Sequence, residues 1–137
     1  MNRPDPQTLM EQARTPQRRK SLSKAFFAIL DHWNLTNEEK ANLLGWNYEK
    51  KRHTIDAMKN GKKEVEWDED KIRRMVEVIN IHKSLRLLFP SNQKSLYGWV
   101  KKKRARFGMH SALDIMIEDG LFGIIAIRRY LDHVRTA

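Results

Sequence analysis

Helix punctuation constrains this chain more than any other feature. Thr36 is followed three residues later by Glu39, and Ser111 three residues later by Asp114. Both pairs have the form of a capping box, in which a hydroxyl accepts a backbone N–H at a helix start and the carboxylate reaches back to the cap. Glycines then stand where helices stop, at Gly45, Gly61 and Gly120, because C-terminal caps favour a left-handed backbone that glycine adopts without strain. Between these signals apolar residues recur at spacings of three and four, no β-branched alternation runs far, and no repeat period emerges. The chain is expected to be all-α.

The first 20 residues contain Pro4, Pro6 and Pro16 and end in Arg18-Arg19-Lys20, a composition that suits a flexible or partly helical basic arm. Ser21 or Ser23 is expected to cap a helix with Leu22, Phe26, Ile29, Leu30 and Trp33 on one stripe, ending near His32 to Asn34. Thr36 opens a second, short helix that Gly45 stops. A third runs from Asn47 to about Asn60, burying Tyr48, Ile55 and Met58. At about 100° per residue, Lys50 and His53 project opposite that core, Thr54 stands at a flank, and Lys51 and Arg52 lie nearer the core edge, from where they snorkel outward. Two short helices joined at Leu43-Leu44-Gly45, the second carrying basic and base-reading residues near its start, match a helix-turn-helix for the DNA major groove. A solvated basic helix in any small bundle would carry the same residues. If DNA is bound, Arg52 and His53 are the first choice for base edges and Lys50, Lys51 and Lys59 for phosphates.

Asp68 is expected to cap a long helix through Phe89, whose apolar residues cover more than one face. Such a helix is buried on two sides, linking the two halves of one chain, with dimerisation as a second role. Pro90 ends it. A helix from Gln93 to Lys102 comes next, capped by Ser91 or Asn92, with Leu96, Trp99 and Val100 inward. A helical hairpin closes the chain: a short helix from Ala112, then a second after Gly120 with Leu121, Ile124, Ile125, Ile127, Leu131 and Val134 at helical spacing. The organisation expected is an arm over 1–20, a helix-turn-helix unit with its linking helix over 21–89, and a small helical domain over 90–137.

The chain has 27 basic and 17 acidic residues, a formal charge of +10, which favours a polyanionic partner or serves solubility alone. No Asp or Glu occurs between Glu77 and Asp114, while that interval holds Lys83, Arg86, Lys94, Lys101 to Arg104 and Arg106. The run Lys101 to Arg106 reads as a solvated loop, a partner contact or a phosphate contact. Cysteine is absent, which excludes disulfides and thiolate metal sites. No run approaches the roughly 20 apolar residues of a membrane span, so a cytoplasmic protein is expected. The five histidines are scattered, the carboxylate clusters Asp68-Glu69-Asp70 and Glu118-Asp119 sit at helix ends, and no phosphate-binding glycine loop is present. Neither enzyme activity, nor a cofactor, nor a metal is expected.

The series Trp99-Val100, Phe107-Gly108, Ser111-Ala112-Leu113-Asp114, Gly120-Leu121 and Arg129-Tyr130-Leu131-Asp132 resembles the C-terminal domain of the Xre/MbcA/ParS antitoxins. The likeness is strongest over 99–132 and reaches more loosely back to Ser21. Ala112 stands where the family usually has Pro. Met58-Lys59-Asn60-Gly61 is similar to the family's Trp-Lys-x-Gly, and Arg52 and Thr54 fall on its usual Arg and Thr, but Trp46 to Lys51 replaces a shorter connection. The resemblance implies the antitoxin of a type II toxin–antitoxin pair. For the Xre branch it implies a RES-domain toxin that consumes NAD⁺ and whose cofactor pocket the antitoxin's C-terminal domain (here 90–137) covers. It further implies autorepression through operator double-stranded DNA, and the expected assembly is a homodimer. Arg128, Arg129, Tyr130, Arg135 and the terminal Ala137 are the candidates for reaching the toxin, with Tyr130 alternatively closing the hairpin core. Deletion after Gly120 is expected to remove neutralisation and leave a folded N-terminal half. The alternative function is a stand-alone helix-turn-helix repressor without a toxin partner.

Overall fold

The computed structural model describes residues 6–63 and 66–136, and within them the fold is built from helices. They are α1 (Pro6–Gln12), α2 (Pro16–His32), α3 (Asn37–Leu43), α4 (Tyr48–Lys59), α5 (Glu69–Leu88), α6 (Gln93–Gly98), α7 (Ala112–Glu118) and α8 (Gly120–Thr136), with 3-10 turns at Trp99–Lys101 and Ala105–Phe107. Both capping boxes form: Thr36 Oγ1 accepts from Glu39 N at 3.1 Å and Ser111 Oγ from Asp114 N at 3.0 Å, each carboxylate reaching back to its cap. Gly45, Gly61 and Gly120 take φ of +74°, +72° and +63°, the left-handed stops their positions require.

Helix α2 starts earlier than expected. Thr15 is its cap, accepting from Arg18 N at 3.3 Å, and Pro16 fills the first turn, where a missing N–H costs nothing. Neither Ser21 nor Ser23 caps: Ser23 lies inside the helix, fully buried, its hydroxyl 3.9 Å from Met75 Sδ. The expected arm is tied down over its described part, because Met10 and Ala13 are buried in the common core and α1 packs on α5. Residues 44–47 join α3 to α4, and Tyr48 to Lys51 form the first turn of α4 behind the Asn47 cap, where the sequence places the start of this helix although the family pattern has a shorter connection there.

Helix α5 is the centre of the molecule. Its residues 75–81 are all buried, with α1 and α2 packed on one side and α8 on the other. One apolar cluster runs from Phe26, Trp33 and Leu43 through Met75 and Ile81 to Met116, Ile124 and Leu131. Pro90 therefore marks a break in the chain and not in the core.

Polar groups fasten the two sides. The carboxylate of Glu77, fully buried, takes Arg73 Nη2 from one turn back on α5 at 2.9 Å and Arg128 Nε from α8 at 2.6 Å. Arg128 also pairs with Asp132 at 3.1 Å, and Ser84 of α5 meets Asp132 at 3.3 Å. Burial disfavours the Arg128 charge, but hydrogen bonds to and attraction from Glu77 and Asp132 outweigh it and raise its pKa. A second tie is Arg74. It pairs with Asp70 at 3.1 Å and donates to the Leu43 carbonyl at 3.2 Å; a Cβ at Gly45 would come within 3.0 Å of its guanidinium and one at Gly120 within 3.4 Å. One cation thus sits at the C-terminal ends of α3 and α7, where the helix dipoles favour it.

Candidate functional site

The inner face of α8 is set by Ile124, Ile127 and Leu131, all buried. Gly123 lets α8 approach α7, since a Cβ there would lie 2.3 Å from the Ile115 carbonyl oxygen. The opposite face repeats at helical spacing as Phe122, Ala126, Arg129, His133 and Thr136, and every one of them is exposed. Phe122 stands 83% exposed, the most open large apolar residue among the described residues. It is absent from the residues that sequence reasoning selects, although its place off the apolar stripe of α8 is a readable signal.

The expected toxin-reaching residues divide. Arg129 is exposed on the outer face. Arg128 is turned inward into the Glu77 and Asp132 pairs, with its side chain only 14% exposed, so it braces α8 and does not reach outward. Tyr130 is half-buried: its ring lies 6.3 Å from Trp99 and edge-on to Phe107 at 5.2 Å, and its hydroxyl accepts from Arg106 Nη1 at 2.9 Å. It closes the hairpin core. Arg135 is half-buried and 3.7 Å from Asp132, and Ala137 lies outside the described residues.

The basic run before α7 divides too. Lys101 donates to the Asn34 carbonyl and stands 3.9 Å from Glu39, tying the run to the N-terminal helices. Arg104 lies over the Trp99 ring at 4.5 Å, where burial lowers its pKa while Tyr130 pulls the other way. Lys102, Lys103 and Arg106 are exposed. The Asp114 carboxyl is held below its usual range, chiefly by the Ser111 backbone N–H, with the Ser111 hydroxyl, His110 and Lys103 adding to it.

On α4, Ile55 and Met58 are buried and Lys50, Lys51, Arg52 and His53 are exposed in the first half of the helix, beside Glu49 and Asp56. Lys51 Nζ sits 5.2 Å from the Trp46 ring. Thr54 turns toward a cleft of about 250 Å³ shared with Trp46, Met58 and Trp67, and Lys59 is half-buried at the end of the helix. Among the described residues no group of three or more His, Asp or Glu side chains is placed to hold a metal ion, and no helix is long and apolar enough to cross a membrane.

Comparison with known proteins gives the outer face of α8 its context. The chain is 29% identical over 119 residues to uncharacterized protein y4oB of Sinorhizobium fredii, with 82% of each chain covered. Residues 84–136, which hold α6, α7, α8 and the basic run, match the family described as the antitoxin Xre/MbcA/ParS C-terminal toxin-binding domain. Residues 84–136, with the capped hairpin at their centre, are thus similar to the toxin-binding domain of the Xre/MbcA/ParS antitoxins.

Proposed function

We propose that the chain neutralises its toxin by occlusion, using the outer face of α8. The observation that carries this is the exposed row Phe122, Ala126, Arg129 and His133 on a helix inside a toxin-binding domain. Aromatic and arginine side chains are the types that dominate interface energetics, and the buried face behind them holds the row rigid. The row itself offers no nucleophile and no paired acid and base, so the action is steric. The toxin class is taken from the resemblance: a RES-domain protein whose NAD⁺ pocket the antitoxin covers. The test is to express the product of the adjacent reading frame with and without this chain and follow cellular NAD⁺. Depletion that the chain prevents supports the reading; growth arrest without NAD⁺ loss points to another toxin class.

A second activity is favoured by one observation on the other side of the molecule. The α3 to α4 connection of residues 44–47 has the length of a helix-turn-helix turn, about four residues. It leaves Lys50, Arg52 and His53 exposed near the start of α4, the part of a recognition helix that contacts base edges. Autorepression through operator DNA is the reading this supports, with a homodimer presenting two such helices to a palindrome. Binding to DNA upstream of the chain's own gene, weakening steeply with salt yet selective for the palindrome, would support it. Salt dependence without selectivity would leave only a basic surface.

A further inference from the structure

The loop from Arg104 to His110 is closed on itself and tipped by an apolar side chain that neither backbone preference nor burial accounts for. Arg104 N donates to the His110 carbonyl at 3.1 Å, Met109 N to the Arg104 carbonyl at 2.8 Å, and His110 N to the Phe107 carbonyl at 3.2 Å. At the tip Gly108 and Met109 both have φ of +65°, the pattern of a type I′ turn, whose second central position belongs to glycine. Methionine there is strained, and its side chain is 61% exposed instead of folded into the core. The base of the loop is fixed by Phe107, edge-on to Trp99 at 6.2 Å and to Tyr130 at 5.2 Å, and by Arg104 over Trp99. A strained residue on a fixed base marks a place where the surrounding structure holds an uncommon conformation for use.

The segment around Met109 is dominated by positive charge. Lys102, Lys103 and Arg106 are exposed, His110 lies beside the tip, and no acidic residue occurs between Glu77 and Asp114. The Asp114 carboxylate is engaged with Ser111 N at 3.0 Å and stands 4.0 Å from His110 Nδ1. We infer that this loop is a second contact with the toxin, in which Met109 enters an apolar pocket rimmed by carboxylates while Lys102, Lys103 and Arg106 pair with the rim. A nucleic-acid backbone would engage the cations but has no use for an exposed thioether, whereas methionine and arginine are enriched in protein interfaces. The loop also falls inside the segment that matches the toxin-binding family. The inference rests on the toxin-binding reading and adds to it the partner's surface chemistry.

The test uses the full chain and the purified product of the adjacent reading frame, with affinity measured by calorimetry and stability by thermal denaturation. Met109→Gly relieves the backbone and removes the side chain, so its Tm should equal or exceed that of the wild type while affinity falls about tenfold, the scale of burying one such side chain. Met109→Asn, which also tolerates the left-handed backbone, should behave alike, and Met109→Glu should lose more through repulsion from the acidic rim. Lys102→Glu with Lys103→Glu should weaken binding at low salt and matter less at high salt. Affinity of Met109→Gly and Met109→Glu within about twofold of wild type would overturn the loop contact. If these bind normally while Phe122→Glu does not, the loop fails and the α8 reading stands. Absence of binding by the wild-type chain overturns both.

Discussion

Glu77, Gly123 and His82 each make the fold depend on a single residue. Truncating Glu77 to Ala leaves Arg128 inside with one partner fewer, and should cost about 3–5 kcal/mol in urea denaturation, as expected for breaking a buried pair. Replacing Glu77 and Arg128 together by leucine should recover most of that loss, which would show that the penalty is an orphaned charge. Gly123→Ala meets backbone and not a yielding side chain, so it should destabilise by about 2–3 kcal/mol. His82 stacks parallel to Tyr97 at 6.5 Å, and Tyr97 on His32 at 4.7 Å. Burial first, then repulsion from Arg86, His32 and Lys83, lowers its pKa from 6.5 to about 4. The unfolded chain thus takes up a proton near pH 6.5 and the folded chain only near pH 4. Stability is full above pH 6.5, falls across that window by roughly 1–2 kcal/mol after allowing for partial exposure, and is flat below it. A Tm series against pH should show this slope and His82→Gln should flatten it. None of these three roles is legible in the sequence, because a partner that decides each one, Arg128 for Glu77, Ile115 for Gly123 and Tyr97 for His82, sits on another helix.

At the level of elements the sequence is more informative, and the reason is locality. Thr36 with Glu39 and Ser111 with Asp114 act across one helical turn, so both starts are readable and both form. The start of α2 is misplaced on sequence alone because Ser21 and Ser23 compete as caps, and only tertiary burial of Ser23 removes it. For α4 the same locality serves, because the Asn47 cap stands where the sequence starts the helix. That places Lys50 and Lys51 in its first turn. Arg52→Ala with His53→Ala should therefore lower operator affinity by about tenfold or more in a mobility-shift assay and leave toxin binding unchanged. Unchanged repression in a promoter fusion would count against α4 as the reading helix. The outer face of α8 is half legible: Arg129 stands out by residue type, whereas Phe122 does not, and Arg128 and Tyr130 turn inward.

Over the whole molecule, α5 lies between the N-terminal helices and α8, so the two halves share one core and one set of ion pairs. The long helix is expected from its sequence to be buried on two sides, and it is. Because α8 packs along α5, deletion after Gly120 uncovers that face of α5 and strips the buried Glu77 carboxylate of Arg128. Such a truncation should lose helicity throughout in circular dichroism, against the expectation of a folded N-terminal half, and is no clean test of neutralisation. Surface substitutions are. Whether the outer face of α8 stops a toxin is decided by the growth of cells expressing the adjacent gene's product. That product alone should arrest growth, and the wild-type chain should rescue it. Phe122→Glu with Arg129→Glu should lose rescue although the variant keeps its wild-type Tm. Undiminished rescue by that folded double variant would contradict occlusion by α8.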